Sequence, residues 1–236
     1  IGGTRRVGVV PLGQGPALDP WSPDERLVVC GIDGFKDFWP AAIAASLSRP
    51  EVWAGANPDG GPDGRSDGRP SRVESVSVEL PGQAGRRNIN ALELGRAFDD
   101  PAWRRAALER IARAVEAAGR RSGRGPGRIA LPAVLGIADH AAVLEDAARI
   151  LPLAAFEVPL VPPSLPGLRL YAALRAALRR RGGRISIGEP VIAIETADRR
   201  ATAVVLSAAV RERRIRTGHV ILATGGIAGG GLIGLA

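Results

Sequence analysis

The chain has no methionine, one cysteine, one tyrosine and two histidines among its 236 residues, and Lys36 is its only lysine. Each shortage excludes something. A lone Cys30 rules out an internal disulfide framework and a multi-thiolate metal site, and it fits a reducing, cytoplasmic compartment. His140 and His219 have no second histidine or thiol at ligand spacing, so no metal site is expected. As general bases they have no supporting partner in the sequence. No apolar run reaches the roughly 18–20 residues that span a bilayer, and no charged-then-apolar leader is present. A chain that starts at Ile1 without methionine reads as a piece of a longer protein. Aromatic residues make up only 4% of the sequence. The net charge is +8, but the arginines are spread along the chain rather than interleaved with stacking residues. Nucleic acid is therefore not the expected partner. Nearly all-arginine basicity, beside abundant Ala, Gly and Pro, reads as coding composition.

What is present is a 45% apolar content, enough to fill a core. Arg26 to Ile32 (RLVVCGI) reads as a buried strand, and Phe35 to Leu47 carries helical spacing, making a βα unit. Asp33, in the Gly31-Ile-Asp-Gly34 turn, is the expected N-cap of that helix. Residues 54–72 are rich in Gly, Pro, Asp and Arg without periodicity and predict a mobile surface loop. Val73 to Leu80 alternates as a half-exposed strand. Asn88 to Gly119 predicts two helices broken at Asp99-Asp100-Pro101, with the aspartates as caps and Pro101 in first position. Arg128 to Leu135 predicts a strand, Asp139 to Leu151 a helix capped by Asp139, and Phe156 to Val161 another strand. This alternation predicts a parallel sheet covered by helices. A different pattern follows. Leu168 to Arg181 is an apolar-striped helix stopped by Gly182-Gly183. Arg184 to Ile187, Val191 to Thr196, Ala201 to Leu206 and Arg214 to Thr217 then predict a β-meander, and Val220 to Ala223 a final buried strand.

That last strand opens into Thr224-Gly225-Gly226, where backbone N–H groups can approach a phosphate or ribose without side chains in the way. Gly229 to Gly234 spells G-x-G-x-x-G, but the strand ends too early and no acidic residue follows, so it is treated as a decoy. Pro162-Pro-Ser-Leu-Pro-Gly-Leu-Arg169 is the second candidate. An arginine in a first helical turn opposes the macrodipole, and a facing anion is one reason to keep it there. Cys30, inside an apolar strand, reads as a small buried hydrophobe.

Val7–Gly13 (VGVVPLG), Cys30–Phe38 (CGIDGFKDF), Val78–Pro81, Asn90–Leu94, Ile129–Gly136 (IALPAVLG), Pro162–Arg169 and His219–Gly231 together resemble the B subunits of anaerobic glycerol-3-phosphate dehydrogenases. The resemblance implies a flavoprotein that oxidises sn-glycerol 3-phosphate to dihydroxyacetone phosphate and passes electrons to a quinone-linked chain. It implies a flavin cofactor (FAD or FMN), a catalytic A-type flavoprotein subunit and a membrane-associated iron–sulfur C-type subunit as partners. It places the protein in the cytoplasm or on the inner face of the membrane. On this reading residues 1–163 form an inserted α/β domain. Residues 164–236 form part of a two-dinucleotide-fold flavin domain with a β-meander, truncated at both ends of the full protein. The expected cofactor contacts are Val191, Ala223, Thr224, Gly225 and Gly226. Arg169, with Ser164 and Gly167, is expected to bind a substrate or cofactor anion, and no catalytic acid or base is assigned. Two other readings stay open: a flavin oxidoreductase of an amino or hydroxy acid, and a non-catalytic electron-transfer or scaffold subunit. A fragment of these residues alone is expected to bind flavin poorly.

Overall fold

The computed structural model describes residues 10–17, 21–22, 24–53, 69–123, 125–207 and 211–224. The chain divides into two compact units, Ile1–Leu174 and Arg175–Ala236. The first is a four-stranded, all-parallel sheet in the order β2-β1-β3-β4, built from β1 (Arg26–Ile32), β2 (Arg72–Val78), β3 (Gly127–Pro132) and β4 (Ala154–Val158). Parallel neighbours need crossover connections. These are supplied by α1 (Pro40–Leu47), then α2 (Ala91–Asp99) with α3 (Pro101–Ser122), then α4 (His140–Ile150). Every residue of β1 is buried, as a central strand covered on both faces requires. Leu27, Ile129, Leu131, Leu94, Phe98, Leu108 and Ile111 form the middle of the core.

The first helix begins later than its periodicity predicts. Phe35 to Trp39 turn irregularly and α1 starts at Pro40. A proline inside a helix lacks the N–H and its ring clashes with the preceding turn, so Pro40 is tolerated only at the start. Asp33 is therefore not an N-cap. The Pro40 ring also explains Gly31: a Cβ there would lie 2.5 Å from it. Residues 54–68 of the expected loop lie outside the described residues, and Arg72 already belongs to β2.

The helix break forms as the sequence dictates. Asp100 caps α3 by accepting from Trp103 N–H at 2.8 Å, with Pro101 in first position. Asp99 does something else. Its carboxylate accepts from the N–H groups of Ile137, Ala138 and Asp139, at the start of α4. The expected cap, Asp139, makes no capping bond. Three backbone donors of the segment leading into α4 converge on one carboxylate. Asp99→Ala should cost about 1–2 kcal/mol, while Asp139→Ala should stay within about 0.5 kcal/mol. Urea unfolding followed by circular dichroism would separate the two.

Three arginines are internal. Arg26, Arg104 and Arg128 are buried and pair with Glu74, Asp146 and Glu25, respectively. Arg128 also lies 4.2 Å over the Trp21 ring, a cation–π contact. The Arg104 hydrogen bond holds the Asp146 carboxyl below the usual carboxylate range. Cys30 has no exposure. Burial first, and Asp33 second, push its thiol up to about 12. The thiol should thus resist iodoacetamide at pH 8 in the native protein and react fully once unfolded. A native value raised above the ordinary 9.0 also means that Cys30 contributes stability below pH 9. That contribution is lost as pH rises toward 12.

The second unit carries an antiparallel meander, β5 (Val191–Ala197), β6 (Arg200–Ser207) and β7 (Glu212–Arg216), in the order β5-β6-β7. Two expected strands do not form. Arg184 to Ile187 is irregular, and Val220 to Ala223 pairs with no described strand. A wholly apolar segment becomes a strand only when neighbours take its backbone hydrogen bonds. Ile221 is 91% exposed. α5 (Leu165–Arg180) forms, but Leu170, Tyr171, Leu174 and Leu178 of its expected apolar stripe are exposed. The fold is thus a parallel α/β unit followed by a helix and an antiparallel meander.

Candidate functional site

A buried charged cluster sits where β4, α4 and the first turns of α5 meet. Glu157, in the otherwise apolar β4, has a side chain with no solvent exposure. A carboxylate placed there is costly unless it is paired and hydrogen-bonded. Arg169 supplies the pair through two parallel bonds, Nη1 to Oε2 at 2.6 Å and Nη2 to Oε1 at 2.9 Å. The Leu135 N–H donates to Oε1 at 2.9 Å. The Arg169 Nε donates to the Gly136 carbonyl at 2.8 Å.

His140 closes the arrangement. Its Nδ1 lies 2.6 Å from the Leu135 carbonyl, which can only accept, so Nδ1 carries the proton. The Nε2 lone pair then accepts from Arg169 Nη1 at 3.3 Å and stands 3.8 Å from Glu157 Oε2. Above the cluster runs a 3-10 turn, Leu12–Ala17. A Cβ on Gly13 would lie 2.8 Å from both Glu157 Oε2 and His140 Nε2. The bare glycine therefore lets this turn cover the charges.

The sequence singles out Arg169 for a facing anion, and the anion it meets is the chain's own Glu157. Glu157 escapes notice because one acid in AAFEV looks like an ordinary solvent-side residue of an alternating strand. Its signal is a single charge in an apolar parallel strand, twelve residues before a first-turn arginine. Ser164 serves α5: its hydroxyl accepts from the Gly167 N–H at 3.2 Å. Gly167 thereby spends its own donor. Val191 begins β5 and is 56% exposed. Ala223 and Thr224 are exposed and belong to no strand, and Gly225, Gly226 and Gly229 to Gly234 lie outside the described residues. Arg169 is brought together with His140 and Glu157, while Val191, Ala223 and Thr224 belong to the second unit.

A dinucleotide needs a glycine turn or a free helix N-terminus for its pyrophosphate. Among the described residues of the α/β unit some of those places are filled. Asn90 caps α2, Asp100 caps α3 and Ser164 caps α5, whereas Trp39 before α1 and Asp139 before α4 make no side-chain capping bond. The Gly31–Gly34 turn is packed by Pro40 and by the Arg86 carbonyl. Among the described residues, no three His, Cys, Asp or Glu side chains converge as metal ligands.

A sequence profile for the FAD-binding domain family matches residues 1–187. The chain belongs to this FAD-binding family. Its cofactor class is accordingly a flavin. This FAD-family chain is 30% identical over 208 residues to the B subunit of the anaerobic glycerol-3-phosphate dehydrogenase of Vibrio cholerae, covering 85% of the chain and 41% of that protein. It is 29% identical over 231 residues to the corresponding B subunit of Yersinia pestis, covering 96% and 46%. It is 41% identical over 105 residues to the probable B subunit of Halobacterium salinarum, covering 44% and 25%. The chain thus spans less than half the length of these relatives. No solved structure matches. No helix among the described residues is long and apolar enough to cross a membrane.

Proposed function

We propose that the chain is the middle section of a flavin-dependent subunit that oxidises sn-glycerol 3-phosphate to dihydroxyacetone phosphate. Electrons leave toward a quinone-linked chain. The observation that carries this reading is the similarity to B subunits of glycerol-3-phosphate dehydrogenases, which extends over 85–96% of the chain in two of them. In this proposal residues 1–163 are an α/β insert, and residues 164–236 return to the flavin domain. Val191, Ala223, Thr224, Gly225 and Gly226 are the proposed flavin contacts. A backbone turn free of side chains can donate to the cofactor there without steric conflict. The partners proposed are an A-type flavoprotein subunit and an iron–sulfur C-type subunit, with the protein in the cytoplasm or on the inner membrane face.

A second reading has its own support. The Arg169 guanidinium is spent on Glu157, Gly136 and His140, so Arg169, Ser164 and Gly167 act as frame here rather than as ligands of the substrate phosphate. That favours a protein that carries electrons or scaffolds while a partner holds the substrate. The deciding experiment mixes the purified full-length flavoprotein, without partners, with sn-glycerol 3-phosphate under anaerobic conditions. Bleaching of the visible flavin band by this substrate, and not by lactate or an amino acid, is the expected result. Bleaching only after the A-type partner is added would favour the scaffold reading, and bleaching by another acid alone would overturn the substrate.

A further inference from the structure

Arg26 opens β1, at the end of the parallel sheet where the strands begin. Its side chain is only 7% exposed, and a buried guanidinium needs acceptors for its donors as well as a counter-charge. The other shielded arginines of the unit meet that need. Arg104, Arg128 and Arg169 each commit Nε to an acceptor, at 2.6, 2.6 and 2.8 Å, and add at least one further bond. Arg26 differs. Among the described residues its guanidinium spends one donor, Nη1, on Glu74, while Nε is buried and donates to nothing. Nη2 faces Gly119, where a Cβ would lie 2.9 Å away.

Space lies beside this group. A cavity of about 360 Å³ is lined by Arg26, Glu116, Gly119, Gly125, Pro152 and Leu153, at the small end of ligand sites. Gly119 belongs to α3, Gly125 lies between α3 and β3, and Pro152 and Leu153 precede β4. Glycine is a poor helix former, so its place in α3 is explained by the room it leaves against Nη2. Gly127 adds to this. It pairs with Arg26 across β1 and β3, and a Cβ there would stand 2.6 Å from Arg26 Cγ.

The lining sets the chemistry of the occupant. Arg26 offers Nη2 to an anion, and Glu116, exposed on α3, offers a carboxylate to a cation. Arg26 is already paired with Glu74, so a simple anion would meet two carboxylates around one guanidinium. A cationic end on the same molecule removes that conflict by pairing with Glu116. Pro152 and Leu153 give a short aliphatic body an apolar wall. We propose that this cavity binds a small aliphatic zwitterion of the ω-amino-acid class, its carboxylate on Arg26 Nη2 and its ammonium on Glu116. The site lies wholly within the first unit and stands apart from the flavin reading.

Calorimetric titration of the full-length protein tests it, with glycine, β-alanine and γ-aminobutyrate as probes and acetate and ethylamine as single-charge controls. At least one zwitterion should bind with a dissociation constant of roughly 1 mM or below. It should bind about tenfold or more tighter than either control. No zwitterion binding in that range would overturn the site, and acetate binding as tightly would overturn its class. Two variants locate it. Gly119→Ala fills the space beside Nη2 while improving the helix, so melting should not fall and binding should weaken about tenfold or more. Glu116→Gln changes an exposed residue and should weaken the zwitterion similarly while leaving acetate unaffected. Should Gly119→Ala lose stability, Glu116→Gln decides alone. Unchanged zwitterion affinity in either folded variant would overturn the proposal.

Discussion

Glu157→Ala is expected to lower the melting temperature of the α/β unit by roughly 10 °C. Removing one partner of a buried ion pair costs about 3–5 kcal/mol, and 1 kcal/mol shifts a unit of this size by about 2–4 °C. The loss has identifiable parts. Arg169, only 12% exposed, would keep a charge with no counter-charge, and the Leu135 N–H would lose its acceptor. Glu157→Leu combined with Arg169→Met should recover most of the stability, because paired apolar replacements relieve desolvation. Thermal unfolding of the two single variants and the double variant checks this. Near-additive losses would mean that the pair is not coupled as its geometry requires.

Gly34→Ala should come second, at about 2–4 kcal/mol, the sum of a left-handed backbone penalty and an overpacking term. Gly34 has φ +78°, and a Cβ there would stand 2.2 Å from the Arg86 carbonyl oxygen. Backbone cannot swing aside as a side chain can. The Gly34 carbonyl also accepts from the Ile89 N–H at 3.0 Å, so displacement would disturb the β2–α2 connection. Gly82, with φ +68° and open space around it, isolates the backbone term. Gly82→Ala should cost about 1 kcal/mol. Chemical denaturation should therefore rank Gly34→Ala clearly below Gly82→Ala in stability. Equal losses would show that the Arg86 contact is unimportant.

The α/β unit is legible in the sequence because its signals are local. RLVVCGI is buried strand on any reading, and Asp99-Asp100-Pro101 can only be a helix break. The departures have physical causes. Pro40 outranks the apolar spacing that suggests a helix from Phe35. Asp99 bonds across 38 to 40 residues instead of capping its own neighbour, which no window along the sequence can reveal. Arg169 does need an anion, but sequence spacing cannot show that Glu157 lies 2.6 Å away. The C-terminal part reads as buried by its hydrophobicity. Val220 to Ala223 carries that pattern, yet pattern alone does not supply the neighbouring strands. The meander is legible in order and spacing.

The Asp99 carboxylate also sets an order of folding events. The segment leading into α4, Ile137 to Asp139, finds its acceptor at the C-terminal end of α2, so it gains that support only after a loop of nearly forty residues has closed. Closing it takes the docking of α3 and the addition of β3 beside β1. The β3–α4 junction should thus consolidate late, on the native side of the folding barrier. Substitutions at Asp99 would then accelerate unfolding far more than they slow folding.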